Sequence, residues 1–95
     1  MEHKIDGALI ANEADFHREI ARAIGFGEHY GRNLDALWDT LSSDVERSVT
    51  LIWQNANLSS DRLGDTFGKI VSILSRVKSQ DEEWHLADRF DFVLR

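Results

Sequence analysis

The segment Val49–Trp53 constrains the fold of this chain more than any other. It reads Val-Thr-Leu-Ile-Trp, five residues that are apolar or β-branched almost without interruption. Strands with one solvated face alternate apolar and polar residues, whereas a continuous run is typical of a strand buried on both faces, as in parallel sheets. The segment therefore predicts a central strand of a parallel sheet.

Two further strands are predicted, one near each end of the chain. Lys4–Gly7 is expected to form a short strand that ends in an Asp-Gly turn, and the structure of Ala8–Ile10 after it is ambiguous. Phe90–Leu94 is long enough to complete the sheet. Three strands separated by helical segments predict an α/β fold, with a small three-stranded parallel sheet, helices packed against it and right-handed crossovers.

The helical segments are indicated by caps and by apolar spacing. Asn12 is expected to cap a helix that Gly25 ends, and one further helical stripe runs from Leu63 to Val77. Trp84–Asp88 is expected to be a loop or a frayed helix end. The residues from Gly25 to Gly31 form a glycine-punctuated loop.

Composition limits the class of protein. The 95 residues contain no proline and no glycine-serine linker, which favours one domain over residues 1–95. The absence of cysteine excludes disulfides and thiolate zinc sites, and the N-terminus lacks a signal-peptide core, so we expect a cytoplasmic protein. No stretch reaches membrane-spanning length.

Charge is concentrated in one part of the sequence. The net charge of −6 disfavours direct binding of nucleic acid, because phosphate binding needs clustered Lys and Arg. Between Glu28 and Glu46 there are five acidic residues and a single cation, Arg32. Such a surface can attract a basic partner, although on the charge alone an ordinary solvated face is the favoured reading.

The acidic stretch contains a short predicted helix with two different faces. Asn33 is the expected N-cap, and Trp38 falls on the border between the faces. The apolar face carries Leu34, Leu37 and Leu41. The adjoining polar face carries Asp35, Asp39 and Ser42. The helix dipole accounts for Asp35 in the first turn. Asp39 lies one turn later and its carboxylate is repelled by that of Asp35, which favours a functional role for Asp39.

Two carboxylates one turn apart could also act as acid and base or bind a divalent cation. The nearest additional groups, His29 and Arg32, complete no catalytic or metal-binding set. The four histidines are scattered and expected at the surface or in loops, and no glycine-rich phosphate loop is present. We therefore expect neither an enzyme nor a cofactor.

The same region carries a family resemblance. Residues 30–39, Tyr-Gly-Arg-Asn-Leu-Asp-Ala-Leu-Trp-Asp, resemble the signature segment of the barstar family, intracellular inhibitors of a bacterial ribonuclease. Leu51–Trp53 is similar to the second strand of that family, and the resemblance covers most of the chain, though more weakly after Asn55. It implies a barstar-like fold and an immunity-type inhibitor that plugs the active site of a small basic ribonuclease with 1:1 stoichiometry.

The resemblance also implies which residues contact the ribonuclease, with Asp39 inserted where the enzyme holds a phosphate. The implied contact residues are His29, Tyr30, Gly31, Asn33, Leu34, Asp35, Trp38, Asp39, Ser42, and the acidic turn Asp44, Val45 and Glu46. Arg32 and Arg76 stand where the family pattern has acids, so the partner is either a barnase-type enzyme or a diverged toxin. A barstar-fold binding module with a partner other than a ribonuclease stays open.

Overall fold

The computed structural model describes all 95 residues and contains one three-stranded sheet. Its strands are β1 (Glu2–Asp6), β2 (Val49–Gln54) and β3 (Phe90–Leu94). The spatial order is β1-β2-β3 and both pairings are parallel, which confirms the predicted sheet with Val49–Trp53 at its centre. The first strand begins earlier than predicted, because Glu2 already pairs with Thr50.

Four α-helices connect and cover the strands. They are α1 (Glu13–Ile24), α2 (Leu34–Asp39), α3 (Ala56–Leu63) and α4 (Asp65–Glu83). A 3-10 turn at Gly7–Leu9 follows β1, which settles the ambiguous segment as a turn, and Gly7 belongs to this turn rather than to the strand. None of the helices combines the length and apolar character needed to cross a membrane.

The ends of α1 follow the predicted caps. The side chain of Asn12 accepts a hydrogen bond of 2.9 Å from the backbone N–H of Asp15. Gly25 ends the helix in the left-handed conformation with φ of 89°, which glycine adopts without a Cβ penalty. Its N–H bonds to the carbonyl oxygen of Ala21.

The prediction of a single helical stripe from Leu63 to Val77 is wrong at its start. Leu63 ends α3, and Gly64, with φ of 58° and ψ of −130°, separates it from α4. The stripe beyond this break is helical as predicted and continues to Glu83. Residues 84–88 lie outside the helix, in agreement with the predicted loop.

The hydrophobic core lies on one face of the sheet. Leu51 and Trp53 belong to the core beneath the helices, whereas the intervening Ile52 projects to the opposite face and is buried there as well. The ring of Phe16 from α1 stacks on Trp53 with a centroid separation of 5.1 Å. Trp53 is thus a core residue, as its position in an apolar strand predicts.

One end of the core is closed by a tight backbone contact. The indole N–H of Trp53 donates a 3.0 Å hydrogen bond to the buried hydroxyl of Ser59. That hydroxyl donates in turn to the carbonyl oxygen of Gly7 at 3.5 Å. A side chain at position 7 would overlap the carbonyl oxygen of Asn55, so only glycine fits where the 3-10 turn meets the start of α3.

Candidate protein-binding site

Helix α2 buries one face and exposes the other, as the leucine and aspartate spacing predicts. Asn33 caps the helix by accepting a 2.7 Å hydrogen bond from the backbone N–H of Ala36. The fully buried residues of this segment are Leu37 and Leu41. Leu34 is half-buried against the core. Asp35 and Asp39 are exposed on the other side, so the core holds the helix while its carboxylates face solvent.

The helix widens after Asp39 into a π-helical turn at Thr40–Asp44. The N–H of Val45 reaches back five residues to the carbonyl oxygen of Thr40 at 3.1 Å. The prediction of an acidic turn over residues 44–46 is therefore wrong for Asp44, which is the last helical residue. Ser42 lies half-buried in the widened turn.

Four carboxylates on this surface have no partner within the chain. The exposed, unpaired acids are Asp35, Asp39, Asp44 and Glu46. The acid Glu19 on α1, in contrast, is bound by both Arg18 and Arg22, and the hydrogen bond from Arg22 lowers its pKa despite burial. The charge of the α2 surface is consequently available to a partner rather than neutralised internally.

The loop before α2 is held in place by Tyr30. Its hydroxyl lies 2.6 Å from Nδ1 of His17, and its ring packs edge-on against Phe26. Nε2 of His17 donates to the carboxylate of Glu13 at 2.9 Å. Burial raises the pKa of the Tyr30 phenol, and the nearby charge of Glu13 adds to this, so the hydroxyl keeps its proton.

The prediction that the histidines lie at the surface is wrong for His17, which is only 1% exposed. It falls on the inner face of α1 next to Phe16, where an imidazole is accommodated because both ring nitrogens find hydrogen-bonding partners. His29 behaves as expected, since its side chain is 97% exposed. The loop therefore anchors one aromatic ring inside and presents an imidazole to solvent.

A groove of about 700 Å³ separates the loop from the chain that follows α2. Seven predicted contact residues line it: His29, Tyr30, Gly31, Asp39, Asp44, Val45 and Glu46. Five do not line it: Asn33, Leu34, Asp35, Trp38 and Ser42. The structure thus brings the loop, the second turn of α2 and the following acids around one groove, with Asp35 one turn away.

Arg47 fixes the far wall of this groove, a role that the sequence analysis missed. Its guanidinium forms two hydrogen bonds to the carboxylate of Asp81, Nε at 2.7 Å and Nη2 at 3.1 Å, and Nη1 donates to the carbonyl oxygen of Val45 at 2.8 Å. Burial raises the pKa of Asp81, but hydrogen bonds from Arg47 and from the Phe90 backbone lower it further than burial raises it.

A second, smaller groove of about 410 Å³ lies between α2 and the end of α4. We call it the α2–α4 groove; its aromatic and charged lining consists of Trp38, Arg76, Glu83 and Trp84. Trp38 is half-buried against the core, in keeping with its border position, and the guanidinium of Arg76 lies over its ring at 4.4 Å. Arg76 is thus a neighbour of the predicted site.

Fold and surface together define a small parallel α/β domain that presents one short acidic helix and the loop before it. The chain belongs to the barstar family: the family model described as "Barstar (barnase inhibitor)" matches residues 1–94. A curated relative from Bacillus subtilis (strain 168), named "Putative ribonuclease inhibitor YrdF", is 31% identical over 90 residues, covering 95% of this chain and 93% of the relative.

Proposed function

We propose that this protein inhibits a small basic bacterial ribonuclease by placing α2 and the loop before it in the active-site cleft, one inhibitor to one enzyme. Its family and the name of its Bacillus subtilis relative support an inhibitor of ribonuclease rather than an enzyme. The observation that carries the proposal is the set of unpaired carboxylates around the groove, with Asp39 at its edge.

The mechanism is mimicry of a phosphate. A ribonuclease cleft arranges Arg, Lys and His side chains around the phosphate of RNA, and a carboxylate can accept charge-assisted hydrogen bonds from the same donors. Asp39 is the proposed central carboxylate, and Asp35, one turn earlier, reaches neighbouring cations. Neither carboxylate must first leave an internal ion pair, so binding breaks no salt bridge of the free protein.

The surface is also ordered before binding. Leu37 and Leu41 fasten α2 to the core, Tyr30 ties the loop to α1, and Arg47 ties the opposite wall to α4. An interface that is already ordered avoids the cost of immobilising loops on association, about 0.5–1.5 kcal/mol for each side chain that must be fixed. This supports tight binding by a small contact surface.

In this proposal the protein acts in the cytoplasm as an immunity-type inhibitor, because a ribonuclease there would degrade the RNA of the cell. The enzyme is either of the barnase type or a diverged toxin with a similarly basic cleft. Charge complementarity between that cleft and the acidic surface should speed association, and salt should slow it.

The test is titration of the protein into a ribonuclease assay with a barnase-type enzyme, with Asp39→Ala and a matched control in parallel. Asp61→Ala is the control, since Asp61 is an exposed acid on α3 without an ion pair. We expect inhibition to saturate at one to one, Asp39→Ala to weaken it at least about 100-fold, and Asp61→Ala to leave it nearly unchanged.

Circular dichroism of each variant separates loss of binding from loss of folding. Failure of the folded wild type to inhibit, or equal inhibition by Asp39→Ala, would contradict the ribonuclease proposal and favour a binding module with another partner. The association rate constant, measured by stopped flow between about 20 and 200 mM salt, gives an independent check. A rate constant that does not change with salt is incompatible with electrostatic steering.

A further inference from the structure

The two edges of the sheet differ in how their backbone groups are used. Along β3, alternate residues bond to β2, so Phe90 and Phe92 direct their N–H groups away from the sheet. Both of these N–H groups are already occupied. A carboxylate oxygen of Asp81 accepts from Phe90 at 2.8 Å, and one of Asp91 accepts from Phe92 at 2.7 Å. The outer edge of β3 is thereby closed to a further strand.

The outer edge of β1 has no such protection. The N–H of Thr50 donates to the carbonyl oxygen of Met1 at 2.9 Å, and alternate residues of β1 continue this pairing with β2. Glu2 and Lys4 therefore direct their N–H and C=O groups away from the sheet, where these groups form no hydrogen bond within the chain. Unpaired backbone groups along an edge strand are a template on which another strand can pair.

The side chains on this edge carry opposite charges. Glu2 and Lys4 lie on the face of the sheet opposite the core, both are exposed, and neither forms an ion pair within the chain. A lysine on an edge strand ordinarily opposes association. Here the acid two residues earlier makes the strand complementary to itself. When two copies of β1 run antiparallel, Glu2 of each copy can lie opposite Lys4 of the other, which forms two ion pairs.

The same charges select the register. If Lys4 lay opposite itself, two lysines would meet and Glu2 would lie opposite Asp6, and like charges directly opposite one another destabilise a pair of strands. Asp6 opposite Lys4 is disfavoured for another reason. The Asp6 carboxylate already accepts hydrogen bonds from the Asn55 side chain and the Ala8 N–H, and β1 ends at this residue. Glu2 opposite Lys4 is the register that remains.

We propose that a second copy of this chain pairs antiparallel with the outer edge of β1, so that one sheet runs through both copies. Reciprocal backbone hydrogen bonds between Glu2 and Lys4 hold the strands together, and the two ion pairs set their register. The strand is short and the contact small, so the dimer is weak, with a Kd of about 0.1–1 mM. The inference does not depend on the proposed function, since neither residue belongs to the proposed ribonuclease contacts.

The experiment is sedimentation equilibrium of the full chain from about 10 µM to 2 mM, a range that brackets the expected Kd. The variants are Glu2→Lys and Lys4→Glu, together with the double variant that carries both changes. Asp61→Lys and Lys69→Glu are the matched controls, because each makes the same change of charge at an exposed, unpaired residue on α3 or α4. Circular dichroism checks that each variant folds.

We expect the wild type and both controls to dimerise alike. Glu2→Lys and Lys4→Glu should each weaken the dimer at least about tenfold, because both ion pairs become repulsive. An equimolar mixture of these two variants should form a heterodimer, since the lysines of one then oppose the acids of the other. The double variant should dimerise like the wild type, because exchanging the two charges keeps the pairs.

Amide NMR signals locate the contact. Those of Glu2 and Lys4 should shift as the concentration rises, whereas those of Phe90 and Phe92 should not. A wild type that stays monomeric to about 2 mM overturns the inference. A dimer that Glu2→Lys and Lys4→Glu weaken no more than their controls also overturns it, as does a mixture of these two variants that stays monomeric while the wild type dimerises.

Discussion

Tyr30 and His17, thirteen residues apart, join the exposed loop to the interior through one hydrogen bond. Because the carboxylate of Glu13 can only accept, Nε2 of His17 carries a proton, and in the neutral ring Nδ1 accepts from the Tyr30 hydroxyl. The position of the loop is thus set by a buried polar chain in α1 rather than by the glycines of the loop alone.

Tyr30→Phe should loosen the loop at moderate cost to stability. The change keeps the ring against Phe26 but leaves Nδ1 of the buried His17 without a donor, so we expect a loss of about 1–2 kcal/mol in the free energy of unfolding. Urea denaturation measures the loss, and amide exchange of residues 27–31 should accelerate. Ser42→Ala removes a hydroxyl whose one hydrogen bond, to Ser43, is 3.5 Å long, and should cost less than about 0.5 kcal/mol. Equal costs for the two variants would refute the anchoring role.

Arg47→Ala should destabilise the protein by about 3 kcal/mol, because it leaves the carboxylate of Asp81, which is 1% exposed, without its charge partner. Denaturant unfolding followed by tryptophan fluorescence gives the value. Lys69→Ala, on an exposed part of α4, is the control and should stay within about 0.5 kcal/mol. The double variant Arg47→Met with Asp81→Asn should recover part of the loss, because it removes the buried charge while the Asn side chain can still accept the hydrogen bond from the Phe90 N–H. No recovery would show that the ion pair itself holds the segment.

The Asp81 carboxyl also predicts a dependence of stability on pH. Its pKa in the folded protein lies below the ordinary value of 3.8, so its contribution is present above that value and is lost as the pH falls through the lowered pKa. Asp81→Asn should therefore destabilise the protein most near neutral pH and progressively less below pH 3.8. Unfolding free energies from about pH 2 to 7 test this, with Asp61→Asn as the exposed control. A constant difference between Asp81→Asn and wild type would be the contrary result.

Two glycine-to-alanine changes should have opposite effects. Gly7→Ala places a methyl group on the carbonyl oxygen of Asn55, and backbone displacement at this packed junction should cost about 1–3 kcal/mol or more. Gly68→Ala, inside α4 with no atom near the added methyl group, should stabilise the protein by about 0.5–1 kcal/mol. The unfolding temperatures of the two variants test this. A shift of the same sign in both would contradict the packing seen at Gly7.

The sequence was sufficient to predict elements whose signals are local. Continuous apolar residues mark Val49–Trp53 as a buried strand, and Asn12, Gly25 and Asn33 mark helix ends through hydrogen bonds that span only a few residues. The two faces of α2 were predictable for the same reason, because helical spacing alone separates its leucines from its aspartates.

Features that depend on distant residues were missed. The pair of Arg47 and Asp81 joins positions 34 residues apart, and its only local signal is that Asp81 falls four residues after Val77, on the buried stripe of α4. The position of His17 next to Phe16, on the buried face of α1, is a similar local signal of burial. Its hydrogen-bonding partner Tyr30, however, is identified only by the fold. The π-helical turn after Asp39 has no signal that we recognise in the sequence.

On helix α2, the residues that stabilise the fold and the residues that face solvent lie on opposite sides, although the two kinds alternate in the sequence. Leu37 and Leu41 lie in the core, while the carboxylates of Asp35 and Asp39 form no hydrogen bond or ion pair within the chain, and the guanidinium of Arg76 stacks on the ring of Trp38. Charges at these outward positions can be exchanged one at a time without disturbing a packed neighbour. A lineage carrying this scaffold could follow a changing enzyme by single substitutions, each of which leaves a folded protein.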